Sequence, residues 1–180
     1  MHAQPYDNGW MMIDNPNYTK FVNATYSKSF SIRQALPKIV MEHVNKTDKI
    51  LDFGAGKDAL GTKLLRDAGF DCTAWEIGNN FVVGLHDYHA IDHDYDVVFA
   101  SNVLNVQPDG GSITEILLDI QGLLKDGGLF FCNFPRKPRH NPLGCDDVET
   151  MLRLMCHTHD GYGGVVESIQ PMFWKCKYKR

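Results

Sequence analysis

The sequence predicts an α/β protein with a doubly wound, mostly parallel sheet and a C-terminal antiparallel hairpin. Three observations lead there. Residues 49–61 read as a buried strand, a tight turn of alternating glycines and a helix start. Further short apolar runs follow, with helical patterns between them. The chain then ends in two short runs suited to a hairpin.

Residues 1–17 are rich in Asn, Pro, Gly and Asp and read as a loop or arm, with Trp10, Met11, Met12 and Ile13 available to pin it. Tyr18 to Phe30 carries aromatics and hydroxyls. Ser29 or Ser31 is placed to cap a helix to about Asn45, with Leu36, Ile39, Val40 and Val44 inward. Pro37 lies inside that span, so a restart is expected there. After the strand and turn, Leu60, Leu64, Leu65 and Ala68 share one helix face, and Gly69 stops that helix. Asp71 to Glu76 is a second strand ending in a carboxylate. Phe81 to Leu85 is a weak helix or turn. Asp96 to Asn102 is a third strand, apolar throughout and therefore buried on both faces. Val103 to Val106 is a loop or short helix. Ser112 is placed to cap a helix carrying Ile113, Ile116, Leu117, Ile120, Leu123 and Leu124. Lys125 to Gly128 turns the chain into a fourth strand, Leu129 to Phe134. Asp146 or Asp147 caps a helix to about His157, and strands follow at 165–169 and 172–178. With no repeat and no linker, one domain over residues 1–180 is expected: an arm and helix over 1–45, then a core over 46–180.

Composition narrows the function. Hydrophobic residues are 43% and charged residues 22% of the 180, as in soluble globular proteins. A net charge of −4 gives no support for a general polyanion binder. Five scattered cysteines with no Cys-x-x-Cys pair suit free thiols in a reducing cytoplasm. No run approaches a membrane span, and Met1 to Asn8 lacks a signal-peptide core, so a soluble cytoplasmic protein with no membrane contact is expected.

The glycine turn carries the chemistry. Gly54 and Gly56 accept positive φ and let a ligand approach the backbone closely. Amides opening the next helix are free to bind polar or anionic groups. Asp52 sits at the carboxyl end of its strand, where open α/β sheets bind ligands. Glu76 lies 22 residues after Gly54, where an acid accepts hydrogen bonds from ribose hydroxyls. Its plainer reading is a solvated strand-end acid. His86-x-x-His89 and His157-x-His159 lack further ligands at a recognisable spacing, so no metal is expected.

Asp52-x-Gly54-x-Gly56, Glu76, Leu123 to Leu129 and the closing antiparallel pair, in this order and spacing, resemble the class I S-adenosylmethionine (SAM)-dependent methyltransferases. The resemblance covers about residues 48–135 and, in outline, the C-terminal part. It implies a Rossmann-like sheet of about seven strands, SAM as cofactor and methyl transfer as the activity. It implies that Asp52 and the backbone of Gly54, Ala55 and Gly56 face the methionine part of SAM, and that Glu76 holds the ribose. Asp87, with His86 or Tyr88 beside it, falls where the family often contacts the adenine amine. Ser101 and Asn102 border the methionine end and the substrate. The cationic sulfonium suits a pocket rich in carboxylates and carbonyls.

Two other readings stand beside this one. Gly54-x-Gly56-x-x-Ala59 with Glu76 also fits a NAD(P)-dependent oxidoreductase, although Asp52 would repel a pyrophosphate. A non-catalytic SAM-fold module that binds cofactor or a partner is the other. No residue stands out as a catalytic base. The Asn/Asp-Pro-Pro-aromatic motif of amino-methylating DNA enzymes and the Pro-Cys nucleophile of cytosine-C5 enzymes are both absent. Ser101 to Val106 resembles a subgroup of methyltransferases associated with phage and DNA-modification systems, in which a Ser/Arg-bearing segment such as Ser27 to Arg33 precedes the fold. The loop of Arg136, Lys137, Arg139 and His140 suits a phosphate or carboxylate, or is a solvated charge run. The acceptor expected is thus a nucleotide, nucleic acid or other anionic molecule, with Arg136, Arg139 and His140 on its side. Tyr26, in the aromatic N-terminal segment, would serve as part of a lid over it, or pack in the core. The sequence sets no oligomeric state.

Overall fold

The protein is described from a computed structural model, over residues 30–136, 138, 142–156 and 164–179; side chains of residues 30–33 and 79 are outside that description. Chain order begins with helix α1 (Phe30–His43), strand β1 (Lys49–Phe53), helix α2 (Leu60–Asp67) and strand β2 (Asp71–Trp75). Strand β3 (Tyr95–Ala100), helix α3 (Gly110–Leu123) and strand β4 (Leu124–Asn133) follow. Helix α4 (Cys145–Cys156) and strands β5 (Val165–Gln170) and β6 (Phe173–Lys177) complete it. Short 3₁₀ turns occupy Gly78–Asn80, Tyr88–Asp92 and Leu104–Val106.

Among the described residues the sheet has six strands in the order β2-β1-β3-β4-β6-β5, where about seven were implied. β1 pairs parallel with β2 and β3, and β3 pairs parallel with β4. β6 runs antiparallel to both β4 and β5, which is the expected hairpin. The mixed α/β sheet is that of a Rossmann-like fold.

Strand alternation divides the core into two layers. Ile50, Val97, Phe99 and Phe131 face one way and pack with Leu36 and Val40 of α1 and Leu65 of α2. Leu51, Phe53, Val98, Phe130 and Cys132 face the other way, against Ile113, Ile116, Leu117 and Ile120 of α3 and Val148 and Leu152 of α4. Burial on both faces explains the apolar runs at 97–100 of β3 and 129–132 of β4.

Local details depart from the expectations. α1 runs through Pro37 without a restart. The Pro37 ring faces α2, its Cγ 3.1 Å from where a Cβ on Gly61 would stand. Asp109, not Ser112, is the N-cap of α3, and its Oδ1 accepts from Ser112 N at 2.8 Å. Lys125 to Gly128 lies within β4 as an irregularity: pairing passes from Tyr95 with Leu124 to Val97 with Leu129, and Gly127 takes φ +76°. Ser29 lies outside the described residues, and so does the Ser31 side chain.

Candidate functional site

The carboxyl ends of β2, β1, β3 and β4 meet along one edge of the sheet. β1 leads there into the glycine turn. Gly54 N and Ala55 N both donate to Trp75 O at 3.0 Å, which ties the turn to the end of β2. Gly54 (φ +72°) has no room for a side chain, since a Cβ would stand 2.7 Å from Val103 Cγ2. Gly56 (φ +72°) differs: a Cβ there would meet nothing within 4 Å. Gly54 is therefore required by packing. Gly56 turns a bare backbone toward open space, where a ligand can approach it.

The Gly56 peptide is held from two sides. Its N–H donates to Glu76 Oε2 at 2.6 Å. Its carbonyl lies 2.9 Å from His86 Nε2, while Val82 N donates to His86 Nδ1 at 2.9 Å. The Val82 amide can only donate, so Nδ1 is the bare nitrogen and Nε2–H donates to Gly56. Glu76 is buried and also accepts from Ile77 N at 2.9 Å. Burial pushes its carboxyl up, against the two amide hydrogen bonds that favour the ionised form. A carboxylate offers about four lone-pair sites, so acceptor capacity remains for hydroxyl groups of a ligand.

Asp52 serves a different part of the site. Ala59, the N-cap of α2, has φ 43° and no side chain to cap with. Asp52 Oδ2 reaches across from β1 instead and accepts from Thr62 N and Thr62 Oγ1, both at 2.9 Å. Gly61 makes room for it, since a Cβ there would stand 2.8 Å from Asp52 Oδ2. With 2% exposure, burial raises the Asp52 carboxyl from 3.8 to about 7, against the Thr62 bonds and helped by the charges of Glu76 and Asp58. This carboxylate holds α2 beneath the glycine turn.

On the β2 side, Asp87 is exposed and caps the turn Tyr88–Asp92, its Oδ1 accepting from His89 N at 2.8 Å. Its own amide donates to Ala74 O at 2.9 Å, which fixes the loop to β2. Phe81 packs beside His86 and Tyr88, with ring centroids 5.7 and 6.0 Å apart. On the β3 side, Ser101 and Asn102 are half-buried, and Asn102 takes φ +59°. Asn102 N donates to Asn133 Oδ1 and Asn133 Nδ2 donates to Asn102 Oδ1, both at 2.7 Å. Arg136 is exposed beyond the end of β4. Tyr26, Arg139 and His140 lie outside the described residues.

The fold thus brings Asp52, Gly54, Ala55, Gly56, Glu76, Asp87, Ser101 and Asn102 to one edge. Thr62 and Asn133 join them there, and the sequence reading assigned neither a role. Asn133 left a signal, as an amide closing an otherwise apolar strand. Thr62 left none, because its partner is ten residues away on another element.

No protein-family model and no curated protein sequence matches the chain. Solved structures do. Magnesium protoporphyrin IX methyltransferase from Synechocystis PCC 6803, solved with bound SAM, superposes at TM-score 0.56 and 14% identity, covering 83% of this chain and 78% of that one. A 1,6-didemethyltoxoflavin-N1-methyltransferase from Burkholderia thailandensis, solved with S-adenosylhomocysteine, gives 0.58 at 14% identity, with 83% and 79% covered. A TehB-like SAM-dependent methyltransferase from Corynebacterium glutamicum gives 0.54 at 16% identity, with 91% and 95% covered. The parallel strands, the glycine turn between β1 and α2 and the closing antiparallel hairpin together are the class I methyltransferase fold.

Proposed function

We propose that the chain is a SAM-dependent methyltransferase acting on an anionic acceptor. The observation that carries this is the Glu76–Gly56 arrangement: a buried acid at the end of β2, fixed by the amide of a glycine whose other face is open. The residues suit SAM. Glu76 accepts from the ribose hydroxyls, and Gly54 to Gly56 lie against the methionine part. Asp87 and the rings of Phe81 and Tyr88 take the adenine end. Asp52 Oδ2 is committed to Thr62, which leaves Oδ1 for the amino acid end. Bound SAM supplies a methyl group on a cationic sulfur. Two buried acids beside the turn favour that cation and oppose a pyrophosphate.

We assign the acceptor side to Ser101, Asn102 and Arg136, and from the sequence alone to Arg139 and His140, a set that suits a nucleotide, a nucleic acid or another anionic molecule. The Ser101 to Val106 segment supports a phage or DNA-modification-associated type. No described helix is long and apolar enough to cross a membrane, and a cytoplasmic location of a one-domain protein is part of the proposal.

Calorimetric titration with SAM, S-adenosylhomocysteine and NADH tests it. Both sulfur ligands should bind in the micromolar range, and Glu76→Ala should weaken both by about tenfold or more, since a hydrogen bond to a charged group contributes about 1.5–3 kcal/mol. Binding of NADH alone would overturn the proposal. SAM binding without transfer to any acceptor in a labelled-methyl screen would leave a non-catalytic binding module.

A further inference from the structure

We infer that the acceptor subsite receives an oxyanion, the oxygen of a phenolate or carboxylate, and not an amine nitrogen. This deepens the methyltransferase reading, rests on it, and within it favours a small anionic acceptor over a nucleic acid. Sheet order places Glu76 on the β2 side of the glycine turn and Ser101, Asn102 and Asn133 on its β3–β4 side. The loop after β3 abuts the turn, because the Val103 side chain occupies the space beside Gly54. Whatever meets the cofactor from the β3–β4 side meets this loop.

Hydrogen bonding sets the polarity of that loop. The Asn102 backbone amide can only donate, so the group of Asn133 at 2.7 Å from it is the carbonyl oxygen. Asn133 Nδ2 therefore donates to Asn102 Oδ1, also at 2.7 Å, and commits that oxygen. What Asn102 has left to offer is Nδ2, with only a long 3.4 Å contact to Ser101 Oγ. The Ser101 hydroxyl hydrogen rotates freely and adds a second donor. The carbonyl oxygen of Asn105 in the same loop is sealed from solvent and not presented. Asn102 is held at φ +59° by its paired bonds, a conformation non-glycine residues rarely take, so the donor is preset.

Charge runs the same way. Residues 97–108 and 127–145 contain no Asp or Glu, and Asp109, the next acid after β3, is engaged by Ser112 N at the start of α3, whereas Asp52 lies in β1 and Asp58, Glu76 and Asp87 follow β1 or β2. An ammonium acceptor must lose a proton before its lone pair can react, and neither of these two segments carries a carboxylate to take it. An oxyanion needs no base: donors favour its ionised form and lower its pKa. In the transfer the acceptor oxygen forms the O–CH₃ bond as the S–CH₃ bond breaks. The electron pair stays on sulfur and no proton moves.

The test loads the full chain with S-adenosylhomocysteine and titrates it with 4-nitrophenol, benzoate and aniline. Two signals are followed: the Asn102 side-chain amide by NMR, and the visible band of 4-nitrophenolate. An oxyanion should shift the Asn102 Nδ2 signals, and bound nitrophenol should show a larger ionised fraction at fixed pH. A response to nitrophenol alone assigns a phenolic acceptor, and to benzoate alone a carboxylate. Asn102→Asp, which replaces the donor by a negative acceptor, should weaken oxyanion binding by about tenfold or more. Ser101→Ala should give a smaller loss. Should Asn102→Asp fail to fold, the wild-type Asn102 signals decide alone. If S-adenosylhomocysteine itself does not bind, the methyltransferase reading falls and takes this inference with it. If it binds and aniline, or neither oxyanion, moves the Asn102 signals, the inference alone is overturned.

Discussion

Replacing Asp52 by asparagine tests the electrostatic account of the glycine turn through pH. Burial raises the Asp52 carboxyl from 3.8 to about 7, and Thr62 returns only part of the lost solvation. The folded state therefore holds this proton more tightly than the unfolded chain does. Stability from this group is fully present below pH 4 and is lost as pH rises through about 7. At 1.36 kcal/mol per pH unit, a difference of about three units corresponds to about 4 kcal/mol. Asp52→Asn removes the titration and keeps the side-chain shape, with a carbonyl oxygen still able to accept from Thr62. Urea unfolding of both proteins at pH 4 and pH 8, followed by tryptophan fluorescence, isolates the effect from the other acids. The stability of wild type relative to Asp52→Asn should fall by about 4 kcal/mol across that range. A difference that stays constant with pH would refute the reasoning, because it would mean that Asp52 stays ionised and solvated.

Other substitutions separate packing from binding. Gly56→Ala places a methyl group in the open space at φ +72°; it should cost about 1–2 kcal/mol of stability yet reduce S-adenosylhomocysteine binding far more, as read by thermal melting beside calorimetry. His86→Ala leaves the Val82 amide without its acceptor and the Gly56 carbonyl with the Ala59 amide alone, which should cost about 1–3 kcal/mol in urea unfolding. Phe131→Ala empties a fully buried position in the layer beneath α1 and should cost about 3–5 kcal/mol by the same measurement.

The two acids of the glycine turn do different work. Glu76 fixes the turn's open end by taking the Gly56 amide. Asp52 fixes the helix beneath it by taking Thr62. Both are buried at the ends of neighbouring strands, and each lacks a cationic partner among its hydrogen bonds. A positively charged ligand at this edge relieves both at once, so binding of such a ligand and the pH dependence of stability would be linked.

Much was determined by the chain's own order. Period-two and period-3.6 apolar patterns set the strands and helices, because they decide which face of each element must be buried. The glycines at 54 and 56 and the acid at 76 marked the carboxyl edge of the sheet, where the candidate site lies, from spacing alone, since a parallel sheet carries its strand ends to one side. Tertiary structure decided how each polar group is used. Nothing local distinguishes Gly54, excluded from bearing a side chain by Val103, from Gly56, which faces open space. Nor does sequence turn Asp52 toward Thr62, or reveal that Asn133 captures Asn102 from 31 residues away. Pro37 shows the same limit: its missing amide predicted a break, but packing of α1 against α2 keeps the helix whole. Hydrophobic period is a property of neighbours along the chain. The partner of a hydrogen bond depends on which strand ends the folded sheet brings together.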